Sequence, residues 1–308
     1  MPRRGLEPLA ILLVALCWGL NWPAVRTALN EIPPWTLRAI GMGSGALFLF
    51  ALARLTGKRC RLARGEWLPV LGSGFLSITA FNLLLSFAQL AAPTSRAVIV
   101  TFTMPIWTII FARPVLGERL DRRRWTGLAA GSLGLACLGW PLVQSGSFGY
   151  GLVLALLAGM SWALGTVVIK RFPVAAPPIT MTLWQLVAGA LVAAAGAALF
   201  EPQLLRAGLD PAGWHASTWV GLGYHIVFSQ ALAFLLWYWL LARMPAGTVA
   251  LALLLVPAIG VVSSVLLLAE RPTLADMLGL VLMTTAAAAV MLPARQPAPR
   301  QPRAGAAG

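Results

Sequence analysis

The stretch PLAILLVALCWGLNWPAV, residues 8–25, contains no charged side chain. As a helix it is long enough to cross most of the roughly 30 Å hydrocarbon core of a bilayer. Arg3 and Arg4 precede it, so on its own it also fits a secretory signal. Its counterpart in the second half of the chain decides against that. An offset of 144 residues sets Trp18 on Trp162, Pro33-Pro34 on Pro177-Pro178, Thr36 on Thr180 and Gly45-Ala46-Leu47 on Gly189-Ala190-Leu191. From the third apolar segment the offset is 152, setting Trp67 on Trp219, Pro93 on Pro245, Pro105 on Pro257, Glu118-Arg119 on Glu270-Arg271 and Gly127-Leu128 on Gly279-Leu280. The change places eight extra residues in the loop near Glu201. The chain is therefore a tandem repeat, and its first segment is part of the fold.

Working outward, ten apolar segments follow one another at 8–28, 34–54, 67–90, 94–115, 121–143, 149–170, 178–200, 216–241, 246–268 and 274–293. Only 10% of residues are charged and 59% are hydrophobic, whereas a soluble domain carries about 25% charge. Five spans per repeat is an odd number, so the second repeat must enter the membrane upside down relative to the first. The expected fold is an all-α integral membrane protein with ten transmembrane helices arranged as two inverted five-helix repeats. Residues 1–145 form the first repeat, 146–293 the second, and 294–308 a disordered cytoplasmic tail rich in Pro, Ala, Gly and Arg.

Charge gives an independent test. With the N-terminus in the cytoplasm, alternation puts 18 of the 23 Lys and Arg residues on the cytoplasmic side and leaves Arg26, Arg38, Arg96, Arg206 and Arg271 on the other. Cytoplasmic loops of membrane proteins carry this excess, so both termini are placed inside. The same bias accounts for the net charge of +14 without invoking nucleic acid. Of the three cysteines, Cys17 and Cys137 lie in apolar stretches and Cys60 in a basic loop, with no disulfide or metal spacing.

These residues resemble the EamA-type members of the drug/metabolite transporter superfamily. The resemblance is carried by Ala15-Leu16-Cys17-Trp18-Gly19-Leu20-Asn21-Trp22, by Leu37-Arg38, and by the Pro105 stretch ending in Leu116-Gly117-Glu118-Arg119-Leu120. Leu253 to Pro257 and Leu268-Ala269-Glu270-Arg271-Pro272 repeat it less closely, with Pro272 where the family has Leu. The resemblance covers nearly the whole chain. It implies a ten-helix carrier of small metabolites, often amino acids, with a central cavity between the repeats.

Polar side chains within a bilayer are costly and face a cavity or a helix partner. Thr79, Asn82, Ser86 and Gln89 recur at helical spacing in the third segment and read as a stripe along the pathway; interhelical hydrogen bonding is the competing reading. Trp18, Asn21 and Trp22 share a face of the first segment, and Trp162 is the repeat mate of Trp18. Their rings suit apolar or aromatic parts of a substrate, against ordinary packing or interfacial anchoring. Tyr238, the mate of Ser86, continues the wall from the other repeat, with Phe234, Trp184 and Gln185 as further candidates. His225 reads as a hydrogen-bonding group rather than a proton relay. Pro105 and Pro257 kink matching spans and are candidate hinges for alternating access, or static bends that shape the cavity. Glu118 and Glu270 read as helix-capping charges, and Gly41/Gly45 and Gly127/Gly131/Gly134 as close-packing faces.

All nine acidic residues fall at span ends or in loops. No phosphate-binding glycine loop and no catalytic motif appears, so neither ATP, another cofactor, a metal nor an enzyme activity is expected. The sequence points to a secondary transporter or facilitator in the bacterial inner (plasma) membrane, exporting small neutral or zwitterionic metabolites, amino acids first, by alternating access through an uncharged, Trp-rich cavity. A flippase for lipids or lipid-linked sugars is the alternative. The implied partners are a small-molecule substrate and the lipid bilayer, and no feature sets an oligomeric state.

Overall fold

The structure is a computed structural model that describes residues 6–92, 94–118, 122–144, 149–202, 210–268 and 274–291. Pro93, Arg119, Glu270, Arg271, Pro272 and the tail at 294–308, all named above, lie outside the described residues. Among the described residues there is no strand. Bilayer interiors force this, because only a helix or a closed barrel satisfies its own backbone away from water.

Among the described residues, seven helical units are long and apolar enough to cross a membrane: α1 (Glu7–Ala28), α2 (Pro34–Leu55), α3 (Arg64–Ala91), α4 (Ala97–Leu116), α6 (Tyr150–Arg171), α7 (Pro178–Phe200) and α8 (Ala216–Leu241). The chain is a multi-pass membrane protein. Three further units, α5 (Arg122–Gln144), α9 (Ala246–Ala252 continuing in Leu255–Leu268) and α10 (Leu274–Met291), carry shorter described apolar stretches. Leu47, Leu199 and Val220 are exposed on the outside of the bundle, as a lipid-facing surface requires.

Several boundaries follow from local chemistry. Pro33 and Pro177 are extended (ψ 155° and 148°), because a residue before proline is pushed out of the helical region. Pro34 and Pro178 then open α2 and α7 at a position where a missing N–H costs nothing. At the end of α4, Gly117 takes φ +67°, the left-handed closure that glycine permits.

Packing repeats with the sequence. α3 and α4 pack on α6, and their repeat mates α8 and α9 pack on α1. α2 packs on α8, and its mate α7 packs on α3. The mated pairs α2–α7, α4–α9 and α5–α10 pack on each other. Exchanging every helix for its mate thus leaves this set of partners unchanged. Hydrophobicity does not distinguish helix from lipid inside a membrane, so close packing must supply the contact energy. Small residues allow it: a Cβ added at Gly45 would lie 3.3 Å from a Leu186 methyl, and one at Gly189 would lie 2.6 Å from the Met42 sulfur.

Carboxylates tie the halves together. Glu118 caps α9, accepting hydrogen bonds from the backbone N–H groups of Ala246 (2.9 Å) and Gly247 (3.3 Å). Capping is the role expected of it, though the helix it caps belongs to the second half. Glu201 likewise accepts from the N–H groups of Trp35 and Thr36 and from the Thr36 hydroxyl at the start of α2. At the same rim as Glu201, Glu31 accepts from the backbone N–H of His215 and contacts its ring. Hydrogen bonds from Thr218 and His215 hold the Glu31 carboxyl below its usual range.

Candidate functional site

Two membrane helices depart from regular geometry at matching places. α3 carries a π-helical turn at Phe75–Ala80, and α8 a longer one at His225–Ala233. An offset of 152 maps the first into the second and sets Ser77 on Ser229. Such turns rotate everything that follows them and often mark functional positions. α4 and α9 are broken just before Pro105 and Pro257, at Phe102-Thr103 and Leu253-Leu254. Proline cannot donate the hydrogen bond that would carry the helix through.

A narrow central cavity, open on one side, lies between these irregular elements. Trp18, Asn21, Trp22 and Val25 of α1 line it, with Arg38 of α2, Phe81, Asn82, Leu85 and Gln89 of α3, Phe102 and Met104 of α4, Trp162 of α6, and Ser229 and Phe234 of α8. The lining includes the C-terminal half of α1, the start of α2 and the C-terminal part of α3. The cavity therefore extends toward the end of the bundle that carries the 29–33 loop.

Aromatic rings close it at the middle. Trp18 meets Trp162 edge-on at 5.0 Å and Phe234 at 5.4 Å; Phe81 and Trp237 complete the layer at 4.8 and 5.4 Å from Trp162. Beyond this floor the bundle is sealed. Gln185 Nε2 donates to Ser73 Oγ and to the Val70 carbonyl, both at 3.1 Å. The Tyr238 hydroxyl lies 3.1 Å from Ser77 Oγ. The loop before α3 is fastened to α7 by bonds from the Trp184 indole to the Cys60 carbonyl (2.7 Å) and from the Thr180 hydroxyl to the Arg59 carbonyl.

On the cavity side the network centres on Arg38. Its Nε donates to Ser86 Oγ (2.7 Å) and its Nη1 to Asn82 Oδ1 (2.9 Å). His225 Nε2 lies 3.2 Å from Arg38 Nη1 and 3.1 Å from Gln230 Nε2, both donors, so it must accept. Nδ1 then carries the ring proton and donates to Asn21 Oδ1 (2.9 Å). A neutral tautomer is thus specified by its neighbours. α2 comes close enough because position 41 is glycine: a Cβ there would sit 2.7 Å from the His225 ring.

Of the residues singled out from the sequence, Trp18, Asn21, Trp22, Asn82, Gln89, Trp162 and Phe234 line the cavity. The others lie elsewhere. The π-turn in α3 rotates Thr79 against Gly189 of α7, splitting the expected stripe. Ser86 stands behind the wall and holds Arg38. Tyr238 and Gln185 belong to the sealed half, where both are buried. Trp184 faces a lateral apolar groove with Leu47, Phe50 and Leu191.

The expectation of an uncharged cavity is corrected by Arg38, which lines it while only 1% exposed. Counting it with the outer loops overlooked that Pro34 starts α2 four residues earlier, so a full helical turn separates Arg38 from the loop. An arginine within an apolar helix was the available signal. Ser229, Phe102 and Met104 were also missed, and nothing in their local sequence marks them.

Comparison with known proteins places this architecture. The profile of the EamA-like transporter family matches twice, at residues 6–140 and 149–292. An uncharacterized transporter of Bacillus subtilis, YvbV, is 29% identical over 282 residues, covering 90% of this chain and 88% of that protein. A Salmonella typhimurium protein named a probable amino-acid metabolite efflux pump is 28% identical over 292 residues, covering 88% and 90%. A solved crystal structure shares the fold with a TM-score of 0.75 at 21% identity, covering 94% of this chain and 99% of its own.

Proposed function

We propose, from the premise that this chain belongs to the EamA-like transporter family, that it is a secondary transporter or facilitator exporting small metabolites, free amino acids first, by alternating access. The family supplies the class of activity. The observation that supports the substrate route is a central cavity walled by polar and aromatic groups, extending toward one end of the bundle and stopped at mid-depth by the Trp18–Trp162 layer. In this reading the protein has ten spans in two inverted repeats, with both termini on the cytoplasmic side of a bacterial plasma membrane. Counting Arg38 as buried removes one of the five outer cations and strengthens the charge bias.

Alternating access then has a concrete form. The cavity faces the outer side, while the Gln185–Ser73 and Tyr238–Ser77 contacts seal the inner side. Exchanging the conformations of two inverted repeats converts one state into the other. The breaks before Pro105 and Pro257 lie at matching places in helices that pack on each other, which suits hinges. The lateral groove beside Trp184 shares no lining residue with the cavity, so a lipid path through the site gains no support from it.

The test is flux of radiolabelled amino acids in proteoliposomes holding the purified full chain, with and without a pH gradient. Saturable flux that Trp162→Ala or Asn82→Leu removes is the expected result. Equal counts in protein-free vesicles for every amino acid would sink the reading.

A further inference from the structure

Arg38 is buried with a charge that no acid among the described residues answers. Its partners Ser86, Asn82 and His225 are all uncharged. Among the described residues the ion pairs are Arg59–Glu66 and His215–Glu31. Glu201 lies close in the fold, but it faces the start of α2 through Trp35 and Thr36. One guanidinium nitrogen, Nη2, has no hydrogen-bond partner. Neither has either amide atom of Gln89, which is 2% exposed and lines the same cavity. Buried polar groups are nearly always partnered, and a buried guanidinium without a counter-ion is costly. Arginine also stays protonated, so it cannot escape by losing its charge.

We propose that Arg38 and Gln89 form a carboxylate-binding site, and that the substrate presents a free carboxylate attached to an apolar body. This rests on the reading above, in which the cavity carries substrate. Nη2 of Arg38 and both amide atoms of Gln89 are covered as well as unpartnered, so the substrate reaches them as the cavity wall gives way: a carboxylate oxygen accepts from Nη2 and answers the buried charge, and Gln89 Nε2 supplies a second donor. Gln89 Oε1 remains as an acceptor, which suits the ammonium of an α-amino acid. The apolar part of the substrate rests on Trp22, Phe102 and the Trp18–Trp162 floor. The site thereby selects against cationic amines and esters, which bring no anion to Arg38. His225 supports it by keeping Nε2 as an acceptor toward Nη1, which leaves Nη2 free for the ligand.

The experiment uses the full chain in proteoliposomes. Flux is measured for the twenty amino acids, then for the methyl ester and the decarboxylated amine of each one that moves. Esters and amines are expected to move at least tenfold more slowly than the acids. Gln89→Leu should raise the half-saturating concentration of the acid severalfold and narrow the gap between acid and ester flux; an unchanged half-saturating concentration counts against the site. Arg38→Lys should weaken acid flux at least tenfold; if that variant does not fold, the ligand series and the Gln89 variant still decide. Esters or amines that move as fast as their acids overturn the carboxylate site and leave the transporter reading standing. No flux of any acid, ester or amine overturns both.

Discussion

Two polar clusters occupy related places in the two halves of the bundle and do opposite things. In the cluster beside the cavity, α2 reaches α3 and α8 through Arg38, with bonds to Ser86, Asn82 and His225. In the cluster beyond the aromatic layer, the mate helix α7 reaches α3 through Gln185 and Ser73, beside the Tyr238–Ser77 contact between α8 and α3. The sequence offset of 144 sets Arg38 on Thr182 and Gly41 on Gln185. One helix therefore offers a guanidinium beside a glycine, and its mate offers hydroxyl and amide groups. The neutral groups bond across the gap and close it, with Gln185 Oε1 left unpartnered. A charge without a counter-ion cannot be satisfied by them, and the cavity lies beside it. Matching backbones thus give a sealed end and a receptive end, and the difference rests on a few side chains.

Removing the layer between the clusters is the largest perturbation. Trp162 touches Trp18, Phe81, Phe234 and Trp237, so Trp162→Ala is expected to cost about 3–5 kcal/mol of stability. Thermal unfolding in detergent reads this as a lower Tm, together with loss of flux. An unchanged Tm would show that the floor does not couple the two ends.

Overpacking each cluster separately comes next. A Cβ at Gly41 would sit 2.7 Å from the His225 ring, and one at Gly74 2.4 Å from Gln185. Gly41→Ala and Gly74→Ala should each cost about 1–3 kcal/mol. Their transport phenotypes should differ: Gly41→Ala disturbs the Arg38 network and weakens substrate affinity, while Gly74→Ala loosens the inner seal and leaves affinity near wild type. Identical affinities in the two variants would break the distinction between the clusters.

Single hydrogen bonds sharpen it further. Tyr238→Phe removes one hydroxyl contact with Ser77 and should cost about 0.5–1.5 kcal/mol without altering substrate affinity. Ser86→Ala takes a partner from a buried guanidinium, for which about 1–3 kcal/mol is the ordinary range, and should weaken affinity as well. Paired Tm and half-saturation measurements on the two variants check this.

The smallest effect is at the rim that carries Glu31. Glu31 has a lowered pKa in the folded protein, through Thr218 and His215, so its ionised form binds those partners better than its protonated form does. That stabilisation is complete at neutral pH, begins to fade as the pH approaches the ordinary carboxyl value of 4.5, and is gone below the lowered value. The Tm difference between wild type and Glu31→Gln should be small at pH 7 and vanish on acidification. A difference that grows toward acid pH would reverse the assigned sign.

Most of the scaffold was legible in the chain. Charge-free runs mark the spans, because a charge in hydrocarbon is expensive wherever it lies along a helix. Pro33-Pro34 and Pro177-Pro178 mark two helix starts, because proline restricts its own backbone and its neighbour's. The twin offsets exposed the repeat. The cavity was only half legible. Trp18, Asn21, Trp22, Asn82 and Trp162 were found because aromatic and polar groups stand out in apolar helices. Thr79 was misplaced because a regular helix was assumed across Phe75–Ala80, where a π-turn shifts the face.

What the sequence determined by itself, then, is a membrane-embedded helical bundle of duplicated halves, since length, hydropathy and proline act locally and need no knowledge of neighbours. The tertiary structure alone decided which of two related polar clusters closes and which lines the cavity. That depends on Arg38 meeting Ser86, Asn82 and His225 from helices 44 to 187 residues away in the chain, and on a glycine thin enough to let them meet. Hydrogen bonding and burial are properties of a completed neighbourhood, and only the packed bundle supplies one.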